Sequence, residues 1–240
     1  MKRTERHHLK EDPLAAWVLG LRESVAGSGA TIIITGAIVG VGVLIGSLYA
    51  WQQWRLAQSS EMLAAGMAVV EASVAVEGAD SSVGEGAYSS IEDKFEAALP
   101  LLHAAADAYP GLPAGIVARY QAAALLVTLG RTDEAVAQFE QVAELDTDGV
   151  YGSMARLGRA EALLSNGDYE QAIALLQLET TSADVDVPVD AVLMRLGIAY
   201  QLANQDAEAV TTYMRLLGEF PASVYRFDAQ TELDSLAGGG

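Results

Sequence analysis

Several residue types are scarce in this sequence of 240 residues, and each shortage excludes a class of protein or site. Cysteine is absent, so the chain has neither a disulfide framework nor a thiolate-ligated zinc or iron–sulfur site. Lysine and arginine number only 14 against 32 aspartates and glutamates, which gives a formal charge of −18. Nucleic acid would repel such a chain, because proteins bind its phosphates mainly through Lys and Arg. We therefore expect no nucleic-acid partner.

Motifs for catalysis are also missing. The sequence has no nucleophile elbow, no HExxH zinc motif and no Walker loop, and its histidines are limited to His7, His8 and His103. Acidic pairs lie where helices are predicted to begin, and there they interact favourably with the helix dipole. These pairs are Asp133-Glu134, Asp168/Glu170 and Asp206/Glu208. We expect a protein that is not an enzyme, with no catalytic residue, no metal and no cofactor.

The charges that are present divide the chain into two parts. Residues 1–55 contain six basic and four acidic side chains, a net charge of +2, whereas residues 56–240 contain eight and 28, a net charge of −20. Hydrophobic residues make up 51% of the chain, which is enough to form a buried core. A slightly basic head is thus joined to a strongly acidic, folded body.

A stretch of 31 residues without any charge connects the head to the body. Its most apolar part, residues 30–51, would form a helix roughly 33 Å long, enough to cross a hydrocarbon core of about 30 Å. Tyr49, Trp51 and Trp54 cluster at the C-terminal end of this segment, where aromatic side chains prefer the membrane interface. The alternative is a cleaved signal peptide, whose apolar region is shorter, at ~7–15 residues. We predict an uncleaved transmembrane helix over residues 29–54.

The basic residues near this helix predict its orientation. Five of them precede it, and only Arg55 follows closely. The positive-inside rule therefore places the N-terminus in the cytoplasm and the acidic body outside, which in a bacterium means the inner membrane and the periplasm. The head itself contains a predicted amphipathic helix that either lies on the inner leaflet or docks on a membrane partner. Its apolar positions are Leu14, Trp17, Val18, Leu21 and Val25.

Small residues recur along one face of the predicted transmembrane helix. They are Gly29, Gly36, Gly40 and Ser47. The spacing of Gly36 and Gly40 matches the GxxxG pattern, which lets a second helix approach closely. We predict that other membrane proteins pack against this helix.

The body contains an internal repeat. The segments RTDEAVAQF, GDYEQAIAL and QDAEAVTTY align on Ala135, Ala172 and Ala209, each 37 residues after the last, and a further step back reaches Ala98. A helix-stopping residue precedes each of the last three alanines by five positions. These stops are Gly130, Gly167 and Asn204. Each unit therefore reads as a helix, a tight turn and a second helix.

These units resemble the tetratricopeptide repeat, a helical hairpin of ~34 residues whose copies stack into a superhelix. The unit around Ala209 matches most fully. It places Leu193, Leu196-Gly197, Tyr200, Tyr213, Leu216 and Pro221 at the family's spaced positions. The resemblance predicts a solenoid of helical hairpins with a C-terminal capping helix. Together with the transmembrane helix predicted above, the whole chain is expected to have an all-α fold.

The resulting domain prediction has five segments. Residues 1–28 form the cytoplasmic head, 29–54 the transmembrane helix, 55–90 a continuation of that helix plus a flexible loop, 91–221 the repeats, and 222–240 the capping helix and tail. In the last segment, Ser223 is predicted to cap a helix that covers the apolar end of the stack.

In the family, the first helix of each hairpin lines a concave groove that binds peptides or partner helices. Carrying those groove positions over to this sequence implies a partner-binding set. The set is Val117, Tyr120, Val127, Met154, Leu157, Glu161, Met194, Ile198 and Gln201. The Lys and Asn of the family's carboxylate clamp are missing at these positions, so we expect soluble proteins or peptides with apolar side chains and basic character to bind there.

The layout as a whole is similar to the ancillary subunit of the bacterial Sec translocon, which has a short head, one glycine-rich span and an exported tetratricopeptide array. That resemblance implies a protein-interaction scaffold linking the translocation channel to periplasmic chaperones or clients. Two other roles stay open on the sequence. One is a structural accessory subunit of a respiratory or photosynthetic membrane complex, and the other is a cell-envelope assembly scaffold.

Overall fold

A computed structural model of the chain describes residues 29–75, 88–181 and 189–238, and these are almost entirely helical. In chain order the helices are α1 (Gly29–Glu71), α2 (Ile91–Ala108), α3 (Pro113–Thr128), α4 (Thr132–Leu145), α5 (Val150–Asn166), α6 (Tyr169–Glu179), α7 (Val189–Leu202), α8 (Asp206–Glu219) and α9 (Arg226–Gly238). An isolated parallel bridge joins Val74 to Tyr88. The predicted all-α fold class is confirmed. The head helix and most of the predicted loop at 78–90 lie outside the described residues.

The contacts divide the chain into two units, residues 1–55 and residues 56–240. In the first unit, α1 is long and apolar enough to cross a membrane, and it is the only described helix that is. The side chains from Ile34 to Trp54 are all exposed in the isolated chain. By its length and composition, this helix is a candidate membrane span.

The second unit is built from helical hairpins. In each hairpin we call the first helix A and the second helix B, so that α3, α5 and α7 are A helices and α4, α6 and α8 are B helices. Two apolar clusters run through the stack, one centred on α2 to α4 and one on α6 to α9. From Leu56 onward, α1 supplies the A helix of the first hairpin, because Met62, Leu63 and Met67 pack on the first cluster.

The turns inside the hairpins recur with the 37-residue period. Gly130 has φ 72°, Gly167 has φ 86° and Asn204 has φ 58°. This left-handed conformation ends a helix sharply, and glycine and asparagine adopt it at least cost. The predicted helix stops are therefore confirmed by backbone geometry.

The four aligned alanines all lie fully buried in the second helices of the hairpins. Ala98, Ala135, Ala172 and Ala209 are each 0% exposed. Glycines on the A helices also face the second helix of the same hairpin closely. A Cβ atom added to Gly66 would lie 2.6 Å from the side chain of Leu102, which is well inside van der Waals contact. Close helix crossing thus explains why small residues recur at these positions.

The last helix, α9, packs on the end of the stack. Ala229 is fully buried against the second cluster, and Tyr225, Leu233 and Leu236 are half-buried beside it. The Ser223 hydroxyl accepts a hydrogen bond from the Tyr225 N–H at 3.1 Å just before the helix begins. The predicted last helix is present with its predicted apolar positions.

Candidate functional site

The surface formed by the A helices is the candidate site, and three contacts join successive A helices there. The Tyr120 ring in α3 lies 5.6 Å from that of Tyr151 in α5. Glu161 in α5 forms an ion pair with Arg195 in α7 at 3.3 Å. Gln201 in α7 donates a hydrogen bond to Glu232 in α9 at 3.0 Å. Residues predicted to line the groove therefore lie on one layer of A helices, which we call the A-helix surface.

In α3, the predicted groove residues Val117, Tyr120 and Val127 are all half-buried. Tyr120 packs edge-on against Phe139 as well as Tyr151, with both ring centroids 5.6 Å away. Burial raises the pKa of the Tyr120 hydroxyl, and the neighbouring Tyr151 raises it further. The ring therefore fixes one hairpin against the next while part of it stays accessible.

In α5, the predicted set is the most open. The Met154 side chain is 37% exposed and Glu161 is also exposed, whereas Leu157 is half-buried against the second cluster. A flexible thioether beside a carboxylate can adapt to varied apolar side chains with a basic neighbour. This part of the A-helix surface is the most available to a partner.

In α7, the predicted residues are used mainly within the fold. Met194 is only 7% exposed and Ile198 is half-buried. Gln201 accepts a hydrogen bond from the Tyr213 hydroxyl at 2.6 Å in addition to its bond with Glu232. Burial, followed by the charge of Glu232, raises the pKa of the Tyr213 hydroxyl far above its usual range. At this end the A-helix surface is held rigidly by internal bonds.

Three of the small residues in the transmembrane prediction face open space in the isolated chain. A Cβ atom at Gly36 or Gly40 would have no neighbour within 4 Å, and Ser47 is exposed. Gly29 is the first residue of α1. Gly36, Gly40 and Ser47 are thus accessible to a second helix.

One buried charge was not foreseen from the sequence. Arg119 in α3 is 7% exposed, and its guanidinium donates to Asp107 at 2.7 Å, to Gln138 at 2.9 Å and to Gln141 at 2.7 Å. These partners come from α2 and α4, so the arginine joins three helices. Its only sequence signal is a lone basic residue in an Ala-rich helix, and its side-chain partners are far away in the chain.

A second unforeseen feature is a series of polar contacts between the hairpin turns. Glu96, Asp133 and Glu170 are 37 residues apart, and each accepts a hydrogen bond from a residue at the A–B turn of the following hairpin. The donors are Arg131 at 3.3 Å, Asn166 at 3.0 Å and Gln205 at 2.9 Å respectively. The Arg131 hydrogen bond lowers the pKa of its other partner, Glu134. The spacing of the acids could have revealed this series.

Metal binding has no support at these sites. Within the described residues, no three histidine, aspartate or glutamate side chains are grouped so that they could hold a metal ion. The chemistry available on the A-helix surface is apolar contact, hydrogen bonding and attraction of positive charge.

Comparison with family models identifies repeats in the body of the chain. One model of the tetratricopeptide repeat matches residues 120–187 and a second matches residues 191–223. These two segments are tetratricopeptide repeats. No curated protein sequence matches the chain. The matched segments contain α4, α5, α6 and α8 and most of α3 and α7, so the A-helix surface described above is the first-helix layer of these repeats.

A solved structure of TPR-like repeats shares this fold at low sequence identity. The TPR-like repeats of a proposed kinesin light chain from Podosopora anserina align with a TM-score of 0.50 and 20% identity, covering 60% of this chain and 77% of that chain. MamA from Desulfovibrio magneticus RS-1 aligns with a TM-score of 0.45 and 20% identity, covering 60% and 80%. The repeats make this chain a protein-interaction scaffold.

Proposed function

We propose that this protein is a single-pass membrane scaffold whose exported tetratricopeptide array binds protein partners. The observation that supports the proposal is α1 itself. Its first part carries exposed apolar side chains from Ile34 to Trp54, while its last part, from Leu56, belongs to the first hairpin of the array. The same helix thus acts as the membrane anchor in its first part and as part of the binding domain in its last part. The basic head keeps the N-terminus in the cytoplasm.

Topology is tested with reporter fusions in a bacterial host. A reporter active only outside the cytoplasm, fused after Gly240, should be active because the span carries the array across. The same reporter fused after Ser28 should be inactive, since that fusion lacks the span. Activity of a cytoplasm-only reporter at Gly240 would contradict the proposed orientation and the translocon role together.

The array's proposed partners are proteins or peptides with apolar side chains and basic character, bound on the A-helix surface. Met154 supplies an accessible thioether, the exposed Glu161 carboxylate can be shared between Arg195 and a basic partner, and the body's charge of −20 attracts cations and speeds their approach at low salt. Among membrane complexes, we favour the protein-translocation channel and its periplasmic chaperones or clients. The support for that choice is the shared layout of head, span and exported array.

A photo-crosslinking amino acid at Met154, with a matched site at exposed Ala174 on B helix α6, tests the surface and the partner in cells. Adducts should form at position 154 and not at position 174, and their mass spectra should identify channel subunits or exported chaperones. Adducts with subunits of a respiratory or photosynthetic complex would favour the accessory-subunit role instead. Equal adducts at both positions would remove the A-helix surface as the binding site.

A further inference from the structure

A groove between α8 and α9 contains none of the predicted partner-binding residues in its lining, which is mainly apolar but also includes Gln230 and Asp234. Its volume is about 520 Å³. Its lining includes Val210, Met214 and Leu217 of α8 together with Leu233, Leu236 and Ala237 of α9. Met214 is 61% exposed, so the floor of the groove is open to solvent along the α8 side. An open apolar groove of this size on a folded domain calls for a physical explanation.

The 37-residue period supplies that explanation. Counting back 37 from Leu233, Leu236 and Ala237 of α9 gives Leu196, Ala199 and Tyr200 of α7. The α7 residues are 5%, 0% and 8% exposed, whereas Leu233 and Leu236 are half-buried and Ala237 is exposed. The helix α9 therefore continues the A-helix pattern, but its apolar positions are less covered than those of α7.

The helix that covers α7 is α8, its B helix. A Cβ atom at Gly197 in α7 would lie 2.6 Å from Cζ of Tyr213 in α8, which shows how closely the two helices pack. Within the described residues, no B helix packs on α9 in the same way. The groove is thus the position that the B helix of a further hairpin would occupy.

The net charge of the two helices that form the groove, together with the Asp234 carboxylate in its lining, indicates what kind of helix would fit. Together α8 and α9 carry six acidic and two basic side chains. They are Asp206, Glu208, Glu219, Asp228, Glu232 and Asp234 against Arg215 and Arg226. A helix with an apolar face and Lys or Arg on its flanks would complement both features. A second copy of this chain, at a formal charge of −18, would bring like charges together.

We propose that the α8–α9 groove binds an amphipathic, basic helix of a partner protein, which packs on α9 as α8 packs on α7. The site differs from the A-helix surface, so this proposal stands or falls separately from the proposed function. A partner helix would bury Met214, Leu233 and Leu236 and would extend the array by one B helix.

The probe for this groove is a synthetic peptide derived from α8, the helix that fills the preceding position. It has the sequence of residues 205–221 with Asp206→Lys, Glu208→Lys and Glu219→Lys. A control peptide carries Ala209→Asp and Tyr213→Asp as well, which removes the two side chains that pack against an A helix. Fluorescence anisotropy measures binding to the full chain purified in mild detergent.

The full chain should bind the probe peptide and not the control peptide. Met214→Asp in the protein should weaken binding about tenfold or more, because it places a carboxylate in the apolar groove. The melting temperature of that variant should be unchanged, since Met214 is 61% exposed. Should it unfold, Ala237→Asp at another exposed lining position replaces it. Ala174→Asp, at an exposed position of α6 that belongs to neither surface, is the matched control and should bind the peptide normally.

Three results would overturn the proposal. The first is no binding of the probe peptide, and the second is equal binding by the wild type and the Met214→Asp variant. The third is self-association of the full chain that Met214→Asp abolishes, because the occupant would then be a second copy. A loss of binding in Met154→Asp alone would move the peptide to the A-helix surface and contradict the groove assignment.

Discussion

Replacing Gly197 with alanine should destabilise the array, although alanine favours a helix by about 1 kcal/mol over glycine. The added Cβ would lie 2.6 Å from Cζ and 2.8 Å from Cδ1 of Tyr213, and nearer still to Cε1, whereas unstrained carbon contacts are about 3.5–4.0 Å. The ring has little freedom to move, because Tyr213 is 0% exposed and its hydroxyl donates to Gln201 at 2.6 Å. Overpacking of this kind costs about 1–3 kcal/mol, and loss of the buried hydrogen bond would add about 1–3 kcal/mol. If both losses occur, their total of about 2–6 kcal/mol is reduced by about 1 kcal/mol of helix propensity, so we expect a net loss of about 1–5 kcal/mol.

The matched control is Gly218→Ala in the last turn of α8, where an added Cβ has no neighbour within 4 Å. That change should be neutral or should stabilise the protein by up to about 1 kcal/mol. Urea unfolding of the full chain in detergent, followed by circular dichroism, compares the two midpoints at constant slope. If Gly197→Ala raises the midpoint as Gly218→Ala does, the packing of α7 against α8 has been misjudged.

Three further predictions test other parts of the molecule. Ala172→Leu should lower the free energy of unfolding by about 1–3 kcal/mol, because Ala172 is 0% exposed. Ala174→Leu on the exposed side of the same helix should leave that free energy nearly unchanged. Equal melting curves for the two variants would contradict the repeat alignment. The raised pKa of Tyr213 favours its neutral form in the folded state, so stability is complete below the unfolded pKa of about 10 and falls as pH rises beyond it. Tyr213→Phe should be less stable at neutral pH and should show a shallower alkaline loss, measured by urea unfolding from about pH 8 to about pH 12; an unchanged slope would refute this. Finally, Gly36→Leu with Gly40→Leu should release a membrane partner in co-purification while the protein stays in the membrane fraction, and retention of the partner would leave the helix as an anchor only.

The repeat could be predicted from the sequence because each of its determinants is local or periodic. Gly130, Gly167 and Asn204 are the residues that tolerate a left-handed turn, and they recur every 37 residues. Small residues such as Ala135 and Ala209 recur at the same period because helices cross closely there. The last helix was also predicted from a local signal, because Ser223 is a residue type that caps the beginning of helices.

The exposure of the candidate site could not be predicted in the same way. Met154 and Met194 are both groove positions in the family pattern, yet Met154 is 37% exposed and Met194 is 7% exposed. Their difference depends on how neighbouring hairpins and α9 cover each A helix, which is a property of the stack and not of a single repeat. Whether these side chains bind a partner stays a prediction.

The helical hairpins, their period and the single uncharged apolar stretch follow from the order of residues alone, because turn residues, helix periodicity and hydrophobic length act within one segment of the chain. Which polar groups become internal depends instead on how the helices stack. Arg119 can be buried because Asp107, Gln138 and Gln141 from two other helices accept hydrogen bonds from its two terminal nitrogens, although its Nε has no partner among the described residues, and burying that charge without them would be prohibitive. The stack also shows that α9 follows the A-helix pattern of α7 and leaves Leu233 and Leu236 partly uncovered, since coverage depends on the next helix to pack there.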